Sequence, residues 1–533
     1  MGSIGALALI AIGLSLLWYI QNNYPMKDKF LALLTRDYLP ALLGTITLAY
    51  ILCMLVVSNH NLAVPTNPDE MSHTLVARYY YDHWLPPRVG APETLSTYSS
   101  WGYSYILEFD IVYLIAAKFA NAIKPLVGND VIALRLFQFS LFAALVSISW
   151  LSKSVRWAII PCLMTPQVWY VYSYFNADAL PLTISIILIA LLFGNGRSIL
   201  NIFNRENWRN ILLALSLLLS LFILSKRNYW PILGFILPAQ LILLGKLTAT
   251  RAFFFGFGCT LLLIGFMSGM LAFDEAADKW SIISKDYRHL LMVLGLVSAI
   301  FSLFVKNDVK TWYLENQKSI IKVAIMFAIV FMIVGVRLAY DMNINGGFAS
   351  RASMIHSLIE SKAHIGFKPS TYFTESAHYS IALAAHGITI SQLLFNPWHW
   401  IEISAHSFFG LYSYMNIAAP PKTYMILQLL FSSLILGAVT SFYSQKKQYT
   451  KPFLILSFWI FTVIILSSIL LSWISAFQAQ GRYLFPILSI FAALLLQCSE
   501  DKKFITFARS ILVAAWLTSS ISFIFTGLAL IPK

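Results

Sequence analysis

Long apolar runs alternate with short polar segments along almost the whole chain. About 20 apolar residues in helical form span a bilayer, and several of the runs approach that length. With each basic cluster placed on the cytoplasmic side, the pattern predicts an all-α polytopic membrane protein with about 12–14 transmembrane helices. The candidate spans cover residues 4–20, 39–57, 131–150, 157–175, 180–194, 210–226, 229–245, 252–272, 290–305, 321–340, 423–443, 452–473, 483–498 and 508–528.

Two stretches between the predicted spans, 58–130 and 341–422, are much longer than the others. Residues 105–123 are apolar enough to cross, but they carry Glu108 and Asp110, and a crossing there would move every later basic cluster outside. We therefore expect this segment to lie in the outer membrane surface as an interfacial helix. Both long stretches are predicted to be outer loops, because their many aromatic residues suit the headgroup region.

The chain accordingly divides into four predicted regions. An extra span with its cytoplasmic loop (1–38) precedes a transmembrane core (39–340), whose first outer loop is the expected catalytic loop. The second outer loop (341–422) and a set of C-terminal transmembrane helices (423–533) follow. No internal repeat, low-complexity tract or soluble domain interrupts this order in the sequence.

The composition excludes a soluble protein. Of the 533 residues, 59% are hydrophobic and 11% are charged, whereas soluble domains carry about 25% charged residues. The net charge of +14 would suit a nucleic-acid-binding surface, but the basic residues occur in small clusters between apolar runs. This distribution is the positive-inside pattern of membrane proteins. The expected partner is therefore the lipid bilayer and not nucleic acid.

An acidic pair, Asp69 and Glu70, follows the second predicted span directly. One interpretation is structural: Asn67 is a good helix N-cap, Pro68 suits the first helical position, and Glu70 occupies the capping-box position. The other interpretation is catalytic, with Asp69 or Glu70 as a general base at the membrane face. His73 lies four residues after Asp69 on the same helix face, where it would orient the carboxylate, contact a phosphate or simply form a hydrogen bond.

Four further charged residues lie at predicted outer ends of spans. Lys226 and Arg227 end one span, and Arg482 begins another beside Gly481, which would leave backbone room for a ligand. Such cations either pair with a lipid phosphate, bidentately in the case of arginine, or extend toward lipid headgroups. Asp178 occupies a short outer turn, where it is either a second catalytic acid or an ordinary turn residue.

The sequence offers little for a metal or a nucleotide. Six of the ten histidines fall in 341–422, but their spacing contains no HxxxH pair and no cysteine lies among them, so we expect no metal site there. The sequence also lacks the GxxxxGK[ST] and GxGxxG patterns that bind nucleotide phosphates. We therefore expect no cofactor, and a metal requirement stays open.

The order of motifs resembles the GT-C superfamily of integral membrane glycosyltransferases, which includes protein O-mannosyltransferases and the lipid A aminoarabinose transferase. Within it, the chain is most similar to an uncharacterised bacterial membrane family, over roughly residues 60–500. An extra first span and the region around Asp274, Glu275 and Asp278 depart from that pattern. The matching features are Pro68–His73, Arg135, Asn176–Leu180, Ser407–Gly410 and Gln480–Tyr483.

The resemblance implies a GT-C-like bundle, a polyprenyl-phosphate sugar donor and a first-loop acid that acts as base. We expect an inverting hexosyltransferase of the bacterial inner membrane, facing the periplasm, with a cell-surface glycan such as O-antigen as acceptor. Asp69 would be the base, while Arg482 with Lys226 or Arg227 would bind the phosphate. One alternative is an O-antigen polymerase or ligase that relies on His364, His378 or Arg351. The other alternative is a transporter or flippase for a lipid-linked sugar.

Overall fold

The computed structural model describes most of the chain. The described residues are 37–533 except 63, 65, 195–198, 204–205, 271–284 and 304–308. The predicted first span, 4–20, and the acidic region around Asp274 therefore lie outside them. Within the described residues, the structure is helical almost throughout, and its one sheet is a two-stranded hairpin, Leu411–Tyr412 paired with Ile417–Ala418.

The α-helices are spread along the whole described chain. The first half of the chain contains Leu39–Val57, Glu70–Asp82, Val112–Val127, Asp130–Leu151, Lys153–Ala158, Ile160–Leu163, Pro166–Val171, Ala179–Phe193, Ile199–Phe203, Trp208–Ile223, Pro231–Leu243 and Ala249–Met270. The second half contains Lys285–Leu303, Val309–Ile344, Phe348–Lys362, Ile390–Leu394, Trp400–Gly410, Pro421–Ser444, Thr450–Ile474, Pro486–Cys498 and Lys502–Ser522.

Eight helices of the described part are long and apolar enough to cross a membrane. The number rises to nine if a bent pair, Trp208–Ile223 with Arg227–Leu243, counts as one span. These helices confirm the prediction of an all-α polytopic membrane protein. The eight are Leu39–Val57, Asp130–Leu151, Ala249–Phe266, Asn316–Ile344, Pro421–Ser444, Thr450–Ile474, Gly481–Cys498 and Lys502–Leu528.

The predicted span 157–175 is wrong as one continuous helix. Three short helices occupy 153–171, and Pro161 and Pro166 each lie in the first turn of the helix that they begin. Proline lacks the backbone N–H that a continuing helix needs and clashes with the preceding turn. After these three short helices the chain lies again beside the first long loop, because the N–H of Phe175 donates to Glu70 (3.1 Å).

Charged residues of the predicted site come to one end of the bundle at helix ends and breaks. The bend of 118° between Trp208–Ile223 and Arg227–Leu243 places Lys226 and Arg227 at a turn. Asp178 directly precedes the helix Ala179–Phe193, and Arg482 lies in a short 3₁₀ turn before Pro486–Cys498. Backbone and side chains at such ends are free to face a ligand.

The two outer stretches pack against each other. Arg351 donates to the carbonyl of Leu107 (2.6 Å), and the N–H of His364 donates to the carbonyl of Ser100 (3.0 Å). Stretches 58–130 and 341–422 therefore lie at the same end of the bundle. The expected interfacial segment is a 3₁₀ turn followed by the helix Val112–Val127, which is not among the helices that qualify as spans.

Candidate active site at the first outer loop

Two carboxylates and two cations from distant parts of the sequence meet at one end of the bundle. Arg482 Nη2 donates to Asp69 Oδ2 (2.6 Å), and Lys226 Nζ donates to both carboxylate oxygens of Asp178 (2.8 and 2.9 Å). Arg482 Nε also lies 4.0 Å from Asp178 Oδ2. Four of the residues selected from the sequence thus form one charge cluster.

Asp69 occupies an unusual position in the backbone. The following helix begins at Glu70, and Asp69 precedes it with φ of 60°, a left-handed conformation that costs free energy in a residue other than glycine. The predicted helix start at Asn67 and Pro68 is therefore wrong, and no side chain caps this helix. The strained turn directs the Asp69 carboxylate toward Arg482 instead of the helix N-terminus.

Asp69 is the reachable carboxylate of the cluster. Its side chain is 35% exposed, whereas that of Asp178 is 1% exposed. Burial raises the pKa of Asp69, but the charge and hydrogen bond of Arg482, together with the nearby His73 and Lys226, lower it more, so its pKa lies below the usual value. The carboxylate is therefore ionised at neutral pH and open to a ligand, as a general base requires.

Glu70 forms a buried ion pair and not the expected capping box. Its two oxygens accept from Arg135 Nε (2.7 Å) and Nη2 (2.6 Å), and both partners are buried. Asn67 Nδ2 donates to the same carboxylate (2.7 Å), as does the N–H of Phe175. These four hydrogen bonds use the acceptor capacity of Glu70 and hold the turn that carries Asp69.

Arg135 connects this turn to the neighbouring span. Besides Glu70, its guanidinium donates to Ser58 Oγ (2.8 Å) and to the carbonyls of Ser58 (2.9 Å) and Asn59 (2.8 Å). The end of Leu39–Val57 and the start of Glu70–Asp82 are thereby attached to one fully buried side chain. The sequence analysis did not assign this role, although an arginine inside an apolar run is a feature that could have indicated it.

Asn176 shapes the turn that presents Asp178. Its Oδ1 accepts from the N–H groups of Asp178 (2.8 Å) and Ala179 (3.3 Å), and its Nδ2 donates to the carbonyl of Tyr174 (2.8 Å). The predicted turn chemistry of this motif is therefore present. Asp178 is in addition paired with Lys226, so it does more than complete a turn.

Arg482 is buried and retains an unused donor. Its side chain is 6% exposed, and Nε donates to Gln480 Oε1 (2.6 Å) while Nη2 holds Asp69. Among the residues that the structure describes, no acceptor contacts its buried Nη1. A buried polar group without a partner is costly and needs an explanation. A ligand oxygen would supply the missing acceptor.

Gly481 allows two backbone segments to pack closely. It does not leave the space for a ligand that the sequence had suggested. Its N–H donates to Ser407 Oγ (2.6 Å), and a Cβ at this position would overlap the backbone of Phe408. The helix Trp400–Gly410 therefore lies directly on the backbone that carries Arg482. The next residue, Tyr483, hydrogen-bonds to Gln478, and its ring lies 5.0 Å from Lys226 Nζ.

His73 is a buried, neutral member of the site wall. Its ring stacks on Tyr105 with centroids 4.3 Å apart, and its Nδ1 lies 2.8 Å from the Tyr113 hydroxyl. Burial lowers the pKa of His73 to about 3, although the charge of Asp69 acts in the opposite direction. An imidazole that is neutral across physiological pH orients its neighbours by hydrogen bonding and not by charge.

The structure separates Arg227 from Lys226. Arg227 donates to Glu108 Oε2 (2.6 Å); the Arg227 side chain is exposed and that of Glu108 is partly exposed. Glu108 also accepts from the Tyr103 hydroxyl. Arg227 thus ties the first outer loop to the bend at the rim of the site, whereas Lys226 points into the charge cluster. No group of three or more His, Cys, Asp or Glu that could hold a metal occurs in the described ranges.

The chain matches no protein-family model and no curated protein. The function therefore rests on the geometry and chemistry of the site.

Proposed function

We propose that this chain is a GT-C-like inverting glycosyltransferase that moves a sugar from a polyprenyl-phosphate donor to a glycan acceptor. One observation supports it above the others. An ionised, partly exposed carboxylate, Asp69, lies 2.6 Å from a buried guanidinium, Arg482, that still has an unpaired N–H group. A base beside a phosphate ligand is what displacement of a sugar phosphate needs.

In the proposed reaction, Asp69 takes the proton from an acceptor hydroxyl. The hydroxyl oxygen forms a bond to the anomeric carbon from the face opposite the phosphate, and the configuration at that carbon inverts. The bond from the anomeric carbon to the phosphate oxygen breaks, and its electron pair stays on the phosphate. Arg482 neutralises the charge that grows on this leaving group.

The ion pair between Asp69 and Arg482 also couples donor binding to basicity. In the free site, the guanidinium holds the pKa of Asp69 low, against the effect of burial. A phosphate bound at Nη1 of Arg482 shares this positive charge and brings a negative charge near Asp69. Both effects raise the pKa of Asp69, so the carboxylate becomes a stronger base when a donor is present.

Lys226 and Asp178 set the charge balance behind the phosphate site. Their opposite charges cancel each other. Asp178 also lies 4.0 Å from Arg482 Nε and orients the guanidinium. Lys226 is partly exposed and lies over the ring of Tyr483. It supplies a second cation that can move from Asp178 to a bound phosphate. The ring of Tyr483 keeps this cation close to the site.

The charge distribution supports a site on the extracytoplasmic face of a bacterial inner membrane. The helix Asp130–Leu151 carries Arg135 near the site and leads to Lys153 at its other end. Its 22 residues correspond to about 33 Å, the thickness of the hydrocarbon layer. Under the positive-inside rule, the basic end is cytoplasmic and the site end is outside.

The residues of the polymerase or ligase alternative have other partners. Arg351 Nε lies 2.5 Å from Asp341 Oδ2, and His378 Nδ1 lies 2.8 Å from Ser380 Oγ, with its ring stacked on Phe367. Asp69 and Arg482 are therefore the better basis for a function than this second outer loop.

A transfer assay tests the proposal. The purified protein in lipid nanodiscs is supplied with undecaprenyl-phosphate glucose, mannose or galactose and with lipopolysaccharide as acceptor, and release of undecaprenyl phosphate is measured by mass spectrometry. Asp69→Asn should abolish release, whereas Glu93→Gln, an exposed acid of the same loop, should not. Wild-type release by Asp69→Asn would contradict the proposal.

A further inference from the structure

Strained backbone concentrates at the charge cluster. In the described part of the chain, six residues other than glycine have positive φ. Three of them lie in the acidic turn or in the hairpin beside it: Asp69 (60°), Ser413 (55°) and Met415 (62°). Such conformations cost free energy and persist where the surrounding structure enforces them, often at functional sites. The two strained residues of the hairpin flank Tyr414.

The hairpin that carries Tyr414 is fixed relative to Asp69. Ser413 Oγ donates to the carbonyl of Thr66 (2.8 Å), three residues before Asp69. Tyr412 is fully buried, and its hydroxyl lies 3.0 Å from Ser522 Oγ. The N–H of Leu411 donates to Gln167 Oε1 (2.9 Å). The tip of the hairpin therefore has a set position above the acidic turn.

Tyr414 presents an open aromatic face beside the base. The residue is 46% exposed, and its hydroxyl lies near the backbone of Asp69. Tyr105 and Tyr174, which also lie near the cluster, are more deeply enclosed. An exposed tyrosine on a hairpin of fixed position has a restricted ring, which lowers the entropy cost of binding a ligand.

We infer that Tyr414 is the binding platform for the pyranose ring of the transferred sugar or of the acceptor. This inference rests on the proposed function. A pyranose has an apolar C–H face and polar hydroxyl edges, so an aromatic ring next to a carboxylate matches both parts. The platform would hold a sugar at Asp69, where its hydroxyl or its anomeric carbon reacts.

The direct test is sugar binding without transfer. Saturation-transfer difference NMR is recorded for the protein in nanodiscs with millimolar methyl α-glucoside, methyl α-mannoside and methyl α-galactoside. Wild type and Tyr414→Phe should transfer saturation to the ring C–H protons of at least one glycoside. Tyr414→Ala and Tyr414→Leu should lose most of that signal, and Leu retains the bulk that supports folding. Asn416→Ala, at the same tip, should behave as wild type.

Kinetics give a second readout once a transferred sugar is known. Tyr414→Leu should raise KM by about tenfold with a smaller change in kcat, because a stacking platform contributes to binding in the ground state as well. A merely structural tyrosine would lower the amount of folded protein and leave KM unchanged.

The outcomes separate this inference from the proposed function. Sugar signals in wild type that persist in Tyr414→Leu, or no sugar signal in wild type at all, would overturn the platform. Equal loss in Asn416→Ala would also overturn it, because the effect would then belong to the hairpin as a whole. Sugar binding that depends on Tyr414 without any transfer would leave the platform intact and refute the transferase. Transfer with an unchanged KM in Tyr414→Leu would refute the platform and leave the proposed transferase intact.

Discussion

Arg482 Nη2 and Asp69 Oδ2 lie 2.6 Å apart, although 413 positions separate the two residues in the sequence. The pair joins the first outer loop to the beginning of the span Gly481–Cys498. Arg482 is nearly buried, and its Nη1 has no acceptor among the described residues. This one contact therefore combines a carboxylate that a ligand can reach with a cation that still requires an anion.

The number of N–H groups at position 482 should matter more than the charge. Lysine in place of Arg482 keeps the positive charge but cannot hold Asp69 and a phosphate in the fixed geometry of a guanidinium. Arg482→Lys should lower transfer by about 100- to 1000-fold, the usual effect of losing one donor to a developing anion. The same variant should bind undecaprenyl phosphate more weakly in native mass spectrometry.

The matched control for Arg482 is Arg227→Lys, which changes an exposed arginine at the rim. It should alter both readouts by less than about threefold, because exposed ion pairs contribute little. Full activity of Arg482→Lys, with unchanged lipid binding, would remove Arg482 from the phosphate site.

Glu70→Gln should destabilise the protein strongly. The substitution leaves Arg135 buried without its carboxylate, and breaking a buried ion pair on one side costs about 3–5 kcal/mol. The loss of a helix cap, which the sequence suggested, would cost only about 1 kcal/mol. Denaturation of the detergent-solubilised protein measures the difference. Arg78→Gln, which breaks the exposed pair with Asp130, should cost at most about 1 kcal/mol, and an equal effect of both variants would contradict the assignment.

The sequence predicted which residues form the site better than it predicted the contacts among them. Asp69, Asp178, Lys226 and Arg482 were selected because they lie at the predicted outer ends of apolar runs, and they do meet. Which neighbour faces inward was not predictable: adjacent Lys226 and Arg227 diverge at a bend of 118° that depends on tertiary packing.

Local rules failed where tertiary contacts outweigh them. The sequence Asn-Pro-Asp-Glu follows the pattern of a helix N-terminus, yet neither Asn67 nor Glu70 caps the helix. Instead, Asn67 donates to Glu70, and Glu70 accepts from Arg135. A buried arginine gains more from a carboxylate than a helix end does. Tyr414 carried no signal in the sequence, because its position depends on a hairpin that two strained residues shape.

Gly481→Ala should disturb the site without changing any charge. A methyl group there would overlap the backbone of Phe408, which cannot move as a flexible side chain does. We expect the Arg482 turn to shift and transfer to fall at least about tenfold, since small displacements of a positioned group are costly. Gly234→Ala provides the control, because nothing lies within 4 Å of a Cβ at that helical position. Equal activity of the two variants would refute the packing role of Gly481.

His73 should contribute stability to the folded protein that is lost as the pH drops below about 6.5. In the unfolded chain, a histidine takes up a proton near its usual pKa of about 6.5. In the folded protein, burial against Tyr105 and Tyr113 lowers the pKa of His73 to about 3. Between these two values only the unfolded state binds the proton. The stabilisation that His73 contributes therefore rises with pH and is fully present above pH 6.5. The slope from one such group is about 1.4 kcal/mol per pH unit.

The difference between wild type and a His73 variant, measured by denaturation between pH 5 and pH 7.5, isolates this effect. Asp69 has a lowered pKa and is ionised throughout that window, and Asp110, whose pKa burial raises to about 8, contributes equally to both proteins. His73→Gln replaces the titrating ring with a neutral amide, so its unfolding free energy should depend less on pH by about 1.4 kcal/mol per unit below pH 6.5. His83→Gln changes an exposed histidine and should retain the wild-type slope. A wild-type slope in His73→Gln would mean that His73 is protonated in the folded protein. It would then be a cation beside Asp69, and the neutral wall that we assign to it would be wrong.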